Sequence, residues 1–317
     1  MILGVSVVRS EADIIETMVR QNLHYLDHIV VIDNGSIDGT PDVIRRLQSE
    51  GLPCELRIDT RQNHQQHTIL TEFVRGSSQD FAATRIVLID GDEFIDGDRD
   101  AVVEEFKTSS DVLNIPWKTY VPTPEDDTSG RTVLSRIGHR RAFEDPQYSK
   151  ASIPQNLCSS IKVGRGSHSV RRNRKRVRGV PARHISIAHF PVRSPEQLVG
   201  KILLGSWKIR MRRHSTGEAN HWMDLARELR QSPHLSHERF FEVASTYANQ
   251  SKGTLVFDPL DVKFDETLAE PYRERGMLLT DIVEFTEQLV AQYGYRRNMR
   301  QRAGDWVRSV LSGGSRS

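Results

Sequence analysis

Three carboxyl groups crowd the end of RIVLIDGDEF (85–94): Asp90, Asp92 and Glu93, with Gly91 between the first two. Carboxylates packed that densely repel one another and lose hydration beside an aliphatic strand, so a positive partner is needed. A divalent cation, a basic group or water at an open loop could each supply it. In an extended segment Asp90 and Asp92 project to the same face, and Gly91 lets a ligand approach the backbone. Such a pair could hold a hard dication that bridges two phosphate oxygens. Asp33, closing HIVVID (28–33), and Asp59, closing CELRID (54–59), are acids at the same kind of position.

The elements that must hold these acids alternate. ILGVSVV (2–8) is apolar and β-branched, as a strand covered on both faces should be. EADIIETMVRQNL (11–23) places Ile14, Ile15, Met18, Val19 and Leu23 on one helical stripe. After the strand HIVVID, NGSIDGT (34–40) is turn chemistry. Thr40 is the expected N-cap and Pro41 the first residue of a helix over PDVIRRLQSE, with Gly51 as its C-terminal cap. CELRID, a helix over HTILTEFVR (67–75) and RIVLID (85–90) complete four strands. This βαβα order predicts an α/β fold with a mostly parallel sheet flanked by helices. Ligands of such sheets collect beyond the carboxyl ends of the strands, where these acids lie.

Composition narrows the classes. The chain has 317 residues, 37% hydrophobic and 27% charged, an ordinary soluble composition for one large domain or two modest ones. A net charge of +2 gives no global case for nucleic acid. Cys54 and Cys158 cannot make a disulfide framework and fit a reducing, cytosolic compartment. The opening MILGVSVVRSEADII lacks the basic and long apolar regions of a signal peptide. No run approaches the roughly 20 apolar residues of a spanning helix, so membrane contact would be peripheral, at the inner face. The first loop reads Val8-Arg9-Ser10-Glu11-Ala12, without G-x-G-x-x-G, and no Walker-type loop follows. Phosphates would therefore be held by metal and side chains rather than by a glycine-rich backbone.

VVRSEADIIETMV, HIVVIDNGSIDGTPDVI and VLIDGDEFI, in that order, resemble the nucleotide-sugar half of a family 2-like glycosyltransferase with the GT-A fold. The branch most resembled carries R-N-E-A, D-N-G-S-x-D-G-T and D-x-D-E-F motifs; Ser10 replaces its usual Asn. The resemblance implies a metal-dependent transfer of a sugar, of the hexosyltransferase kind, from a nucleotide diphosphate, typically UDP-linked, to a saccharide or lipid-linked glycoconjugate acceptor. A catalytically silent nucleotide-sugar-binding protein is the alternative. By the same resemblance Asp33 would accept a hydrogen bond from the base, and Val8, Arg9, Glu11, Asp90 and Gly91 would line the nucleotide pocket. Asp92, with Asp90, would ligate Mn²⁺ or Mg²⁺. His168 or His189 would complete the metal shell or touch the diphosphate, although a lone histidine is more often structural. Glu93 could sit behind the metal or point into the sheet to hold a lysine or arginine.

The second half resembles the family more loosely, through LNIPWKTYVP, RIGHRRAF, SSIKVGRGSHSV and HFPVRSPEQLVGKI. Glu144 and Asp145 are the expected general base for an inverting reaction, against Glu125-Asp126-Asp127. Trp117 is an acceptor-stacking platform or a core residue, and Lys162 and Arg193 are candidate phosphate or acceptor contacts. HQQH (64–67) has metal-pair spacing without a third ligand and reads as surface or pocket rim. The basic run RRNRKRVR (171–178) has no interleaved aromatics and reads as a solvated hairpin or loop, with an anionic acceptor or lipid-phosphate headgroups at a membrane surface as the functional alternative and no nucleic-acid partner expected. Residues 1–110 are expected as a nucleotide-sugar half, 111–194 as an acceptor-side half and 195–317 as a helical C-terminal extension. Within that extension KILLGSWKIRMRR could pack on the sheet or lie on a membrane. A further amphipathic helix is expected over LLTDIVEFTEQLVAQYGYRR, and the SGGSRS tail reads as mobile.

Overall fold

The computed structural model describes residues 1–61, 66–211, 220–231, 235–247 and 253–273, with side chains undescribed at 78–79, 207–211, 220–223 and 230–231. The expected helix over 278–297, the SGGSRS tail and His64 and Gln65 of the HQQH segment lie outside the described residues, as do positions 212 and 213 of KILLGSWKIRMRR.

The first part of the chain runs β1 (Ile2–Val8), α1 (Ile15–Asn22), β2 (His28–Asp33), α2 (Thr40–Ser49), β3 (Cys54–Ile58), α3 (Gln66–Asp80) and β4 (Arg85–Leu88). Next come β5 (Glu93–Asp96), α4 (Arg99–Thr108), β6 (Leu113–Thr119), the short α5 (Val133–Arg136), β7 (His139–Arg141), β8 (Ser149–Pro154) and α6 (Gln155–Cys158). Short strands β9 (Ile161–Val163), β10 (Val170–Arg172), β11 (Lys175–Arg176) and β12 (Val180–Pro181) lead to β13 (Ser186–His189). Helices α7 (Pro195–Met211), α8 (Asn220–Gln231) and α9 (His237–Thr246) precede β14 (Leu255–Phe257).

The main sheet has nine strands in the order β3-β2-β1-β4-β8-β6-β13-β5, with β12 added beside β6. The expected α/β architecture holds: β3, β2, β1 and β4 are all parallel, and β6 pairs in parallel with β13 and β12. Antiparallel pairing enters at β8, between β4 and β6, and at β5, on the edge beside β13. The central strands are covered on both faces, which is why they read as continuous aliphatic runs. On one face Ile29 and Val31 of β2 pack with Ile14 just ahead of α1, Ile15, Met18 and Val19 of α1, Ile44 and Leu47 of α2 and Phe106 of α4. On the other, Val30 and Ile32 pack with Ile69, Leu70, Phe73 and Val74 of α3. A separate cluster joins Leu198 and Ile202 of α7 to Leu225 and Leu229 of α8 and Phe240 and Val243 of α9, while β14 pairs antiparallel with β7, so the described part of 195–317 is not helical throughout. No helix among the described residues is long and apolar enough to cross a membrane.

The element ends correct the expectation where two loops meet. Helix α1 begins at Ile15, because the first-loop amides are committed to the second loop. Ser10 N–H donates to Ser36 Oγ (2.8 Å), Glu11 N–H to Thr40 Oγ1 (3.0 Å) and Ala12 N–H to Asp38 Oδ2 (2.9 Å). Thr40 is accordingly inside α2 rather than its cap, and Gly39, left-handed at φ 85°, takes the N-cap position. Helix α7 is set off as sequence chemistry prescribes: Ser194 Oγ accepts from the Gln197 amide at 3.2 Å, and Pro195 opens the first turn.

Candidate active site

Register brings the carboxyl ends of the first strands level: Val8 lies opposite Asp33, and Asp33 opposite Ile58. Asp33 is buried, and its Oδ2 accepts from the amides of Gly35 and Ser36 at 3.1 Å each. Its Oδ1, also buried, has no hydrogen-bond partner among the described residues. A buried acceptor without a partner is costly, and a ligand N–H would remove that cost. Asn34 fixes the adjoining turn by donating to the carbonyls of Asp59 (2.9 Å) and Arg61 (3.2 Å). Val8 and Arg9 lead from β1 into the first loop, which packs directly on the acidic loop. A Cβ added to Gly91 would stand 3.2 Å from both Val8 Cγ1 and Glu11 Cγ.

The crowded acids have found their positive partners inside the protein. Strand β4 stops at Leu88, the chain turns through Asp90–Asp92, and β5 starts at Glu93. Lys150 of β8, wholly buried, places Nζ 2.5 Å from Asp90 Oδ2 and 3.2 Å from Glu93 Oε1. Gln66 Nε2 donates to Asp90 Oδ1 at 2.6 Å, and the Asp90 amide donates to Glu93 Oε2 at 2.8 Å. Burial pushes the Glu93 carboxyl well above its ordinary range despite Lys150. Lys150 itself is raised: burial works against its charge, and Asp90 and Glu93 outweigh that. Lys150 is thus shared between Asp90 and Glu93. Glu93 therefore points into the sheet toward a lysine, one of the two roles anticipated for it.

Asp92 has a different set of neighbours. Its Oδ2 accepts from Lys201 Nζ of α7 at 3.1 Å and lies 3.8 Å from Arg193 Nη1; its Oδ1 lies 3.8 Å from His189 Nε2. Burial would raise the Asp92 carboxyl, yet Lys201 and Arg193 hold it well below the usual carboxylate range. Arg193, fully buried, is shared: it donates to Asp13 at 2.6 and 2.9 Å, to Glu11 at 2.6 Å and to the Phe190 carbonyl at 3.0 Å. Glu11 is pushed up to about 7, by burial first and by Asp92 and Asp13 against the pull of Arg193. Lys201 also donates to the Pro191 carbonyl (2.8 Å) and lies 5.2 Å from the centre of the Tyr247 ring.

His189 ends β13, opposite Glu93 on one side and Thr119 on the other. Burial pushes its imidazole down to about 3, so the ring is neutral, and its Nδ1 has no partner among the described residues. It stacks on Trp117 with ring centres 4.2 Å apart and planes 28° from parallel. An ionised carboxylate oxygen facing a neutral imidazole nitrogen is a hard, borderline donor pair of the kind Mn²⁺ accepts. Asp92 and His189 are thus the residues that could hold a dication here.

The wider metal set is not assembled. Asp90 is occupied by Lys150 and Gln66, and His168 lies against the edge of Trp117, with its Nδ1 2.9 Å from the Ser149 carbonyl oxygen. Among the described residues no group of three or more His, Cys, Asp or Glu side chains is gathered as for a metal ion. Trp117 is buried between His189 and Lys150, whose Nζ is 5.7 Å from the ring centre. Arg193 is enclosed by its carboxylates rather than presented to an acceptor. Lys162 is exposed on β9, paired in register with Arg171.

The two base candidates separate. Glu144 accepts from the Thr119 amide at 2.6 Å and lies 3.3 Å from the buried Arg141, which itself donates to the carbonyls of Ser245 and Tyr247. Gln147 donates to the Trp117 carbonyl at 3.1 Å. Asp145 lies between these two anchors and is exposed. The loop is thereby fastened over the end of β6, whose Thr119 stands opposite His189.

Lys150, Gln66, Lys201 and Tyr247 were not singled out from sequence. Lys150 had a faint signal, as a lone cation in the otherwise small and apolar strand SKASIP. Lys201 was hidden in a helix rich in cations, and only the return of α7 onto the acidic loop distinguishes it.

The profile of the glycosyl transferase family 2 matches residues 8–153. No curated protein matches the chain. Among solved structures, a mannosyltransferase from Pyrobaculum calidifontis, in complex with GDP-Man and Mn²⁺, is 21% identical at a TM-score of 0.30. That match covers 36% of this chain and 34% of the other, so the chain spans about a third of the mannosyltransferase's length. TarS 1-349 of S. aureus, in complex with UDP, is 14% identical over 77% of this chain and 75% of its own, at a TM-score of 0.37. Glucosyl-3-phosphoglycerate synthase from Mycobacterium tuberculosis, with Mn²⁺, UDP and glucosyl-3-phosphoglycerate, is 14% identical over 52% and 61%, at 0.31.

Proposed function

We propose, from the match of residues 8–153 to the glycosyl transferase family 2 model, that the protein transfers a hexose from a nucleotide diphosphate, UDP-linked, to a saccharide or lipid-linked acceptor. The observation that carries this reading is the arrangement around Asp92. One oxygen faces the neutral Nε2 of His189 at 3.8 Å, and the other is held by Lys201 at 3.1 Å. Departure of a diphosphate builds negative charge, and catalysis consists largely of meeting that charge where it forms. A dication on Asp92 and His189 would neutralise the leaving group when bound. Lys201 would then turn from Asp92 to a phosphate oxygen, and Arg193 would keep Glu11 and Asp13 fixed behind it.

The donor's base falls to Asp33, whose free Oδ1 suits the N3–H of uracil. Asp90, steadied by Lys150 and Gln66, has the ribose as its target. The proton of the acceptor hydroxyl goes to Asp145, since Glu144 is engaged by Thr119 and Arg141. Turnover tests the reading: incubation with UDP-sugars and Mn²⁺ is expected to release UDP, with Asp92→Asn lowering the rate by about a hundredfold or more. Unchanged turnover in Asp92→Asn would remove the metal and leaving-group assignment.

A further inference from the structure

Between Asp145 and Glu196 the sequence has no acidic residue, although it passes through its most basic run. The structure gathers much of that charge on the small antiparallel sheet β9-β10-β11. One face of this sheet is internal, with Ile161, Val163 and Val170 in the core beside α3. The opposite face carries a row of cations, one from each strand, because Lys162 pairs with Arg171 and Arg171 with Arg176. Like charges directly opposite one another destabilise a sheet. The tip adds Arg172, Arg174 and Lys175, and the turn is a tight one with Asn173 and Arg174 at positive φ (50° and 66°). All of these cations are exposed, and among the described residues none is ion-paired. Repulsion of this kind, left uncompensated, points to an anionic partner outside the chain.

A cleft of about 300 Å³ opens beside the same sheet, lined by Asn114, Ser169, Arg176, Val177, Arg178 and Gly179. Two guanidinium groups, an amide and a hydroxyl suit a phosphate group. Just beyond it, Val180 is 40% exposed and Pro181 is exposed too, so the charged surface borders an apolar edge. No exposed aromatic ring lies between positions 161 and 181 to stack on a nucleic-acid base. His168, the one ring there, packs against Trp117 and Tyr148. Cations with an apolar rim and no stacking platform match an anionic bilayer.

We propose that the β9–β11 sheet is a docking surface for an anionic lipid bilayer, with a lipid phosphate seated between Arg176 and Arg178. The inference is independent of the transferase reading; together the two would put transfer at a membrane surface. Co-sedimentation of the full chain with vesicles containing about one third phosphatidylglycerol, at about 0.1 M salt, is the test. Binding is expected there and not to pure phosphatidylcholine, and added salt should weaken it. The triple variant Arg171→Ser, Arg174→Ser, Arg176→Ser should lose at least about tenfold in partition with its melting temperature unchanged. Arg178→Ala, which leaves the outer row intact, should weaken binding to phosphatidylglycerol vesicles by itself. Equal binding to both vesicle types, or wild-type binding by the triple variant, would overturn the proposal. So would single-stranded RNA displacing the vesicles, or inorganic phosphate doing so at millimolar concentration.

Discussion

At Ser10 the backbone turns left-handed, with φ at 57°, to lay the first loop against the second. A serine there carries strain that asparagine tolerates better, because Asn is several-fold enriched in this region. The resembled motif has Asn at this position, and the geometry supplies the reason. The contact from the Ser10 amide to Ser36 Oγ uses the backbone and survives the change, while an Asn side-chain oxygen can replace Ser10 Oγ in accepting from the Ile37 amide. Ser10→Asn is therefore expected to raise stability by about 0.5–1 kcal/mol, read from the urea midpoint at unchanged slope. A lower midpoint would show that the serine hydroxyl matters more than the backbone strain. At the same scale the answer to the acidic cluster is mixed. Asp90 and Glu93 are balanced from within by Lys150, and Asp92 alone is poised between internal cations and an imidazole.

Elements decide which of two adjacent acids is free to act. The loop from β7 to β8 is anchored by Glu144 to Thr119 and by Gln147 to Trp117, which leaves Asp145 exposed between them. Glu144→Gln should thus cost about 1–3 kcal/mol of stability, since it weakens a buried contact to Arg141 and the Thr119 amide. Asp145→Asn should leave the melting temperature near wild type and lower kcat by about a hundredfold or more without weakening donor binding. The reverse pattern, activity lost in a stable Glu144→Gln and kept in Asp145→Asn, would exchange the two roles. Strand β8 also bears on function: inserted antiparallel between β4 and β6, it delivers Lys150 beneath the acidic loop, and β13 delivers His189 opposite Glu93.

Across the whole molecule, what was legible in sequence was what is local. The first four strands, their parallel order and the acids at their ends follow from aliphatic periodicity and turn residues, and Asp33, Asp90 and Asp92 stand at the carboxyl edge as expected. Pairings between distant segments leave no such trace. Nothing in VLIDGDEFI announces that Glu93 opens an edge strand against β13, or that α7 brings Lys201 back over some hundred positions to Asp92. The metal expectation suffered for the same reason. His168 and His189 look alike in sequence, yet Trp117 separates their surroundings and only His189 reaches Asp92.

The central claim is that Asp92 exchanges its internal cations for a dication and a diphosphate. Isothermal titration of UDP into the protein, with and without Mn²⁺, and into Asp92→Asn, tests it most directly. The account predicts affinity at least about tenfold higher with Mn²⁺ in the wild-type chain and no effect of Mn²⁺ in Asp92→Asn. Equal UDP affinity with and without the metal, or an undiminished Mn²⁺ effect in Asp92→Asn, would contradict it.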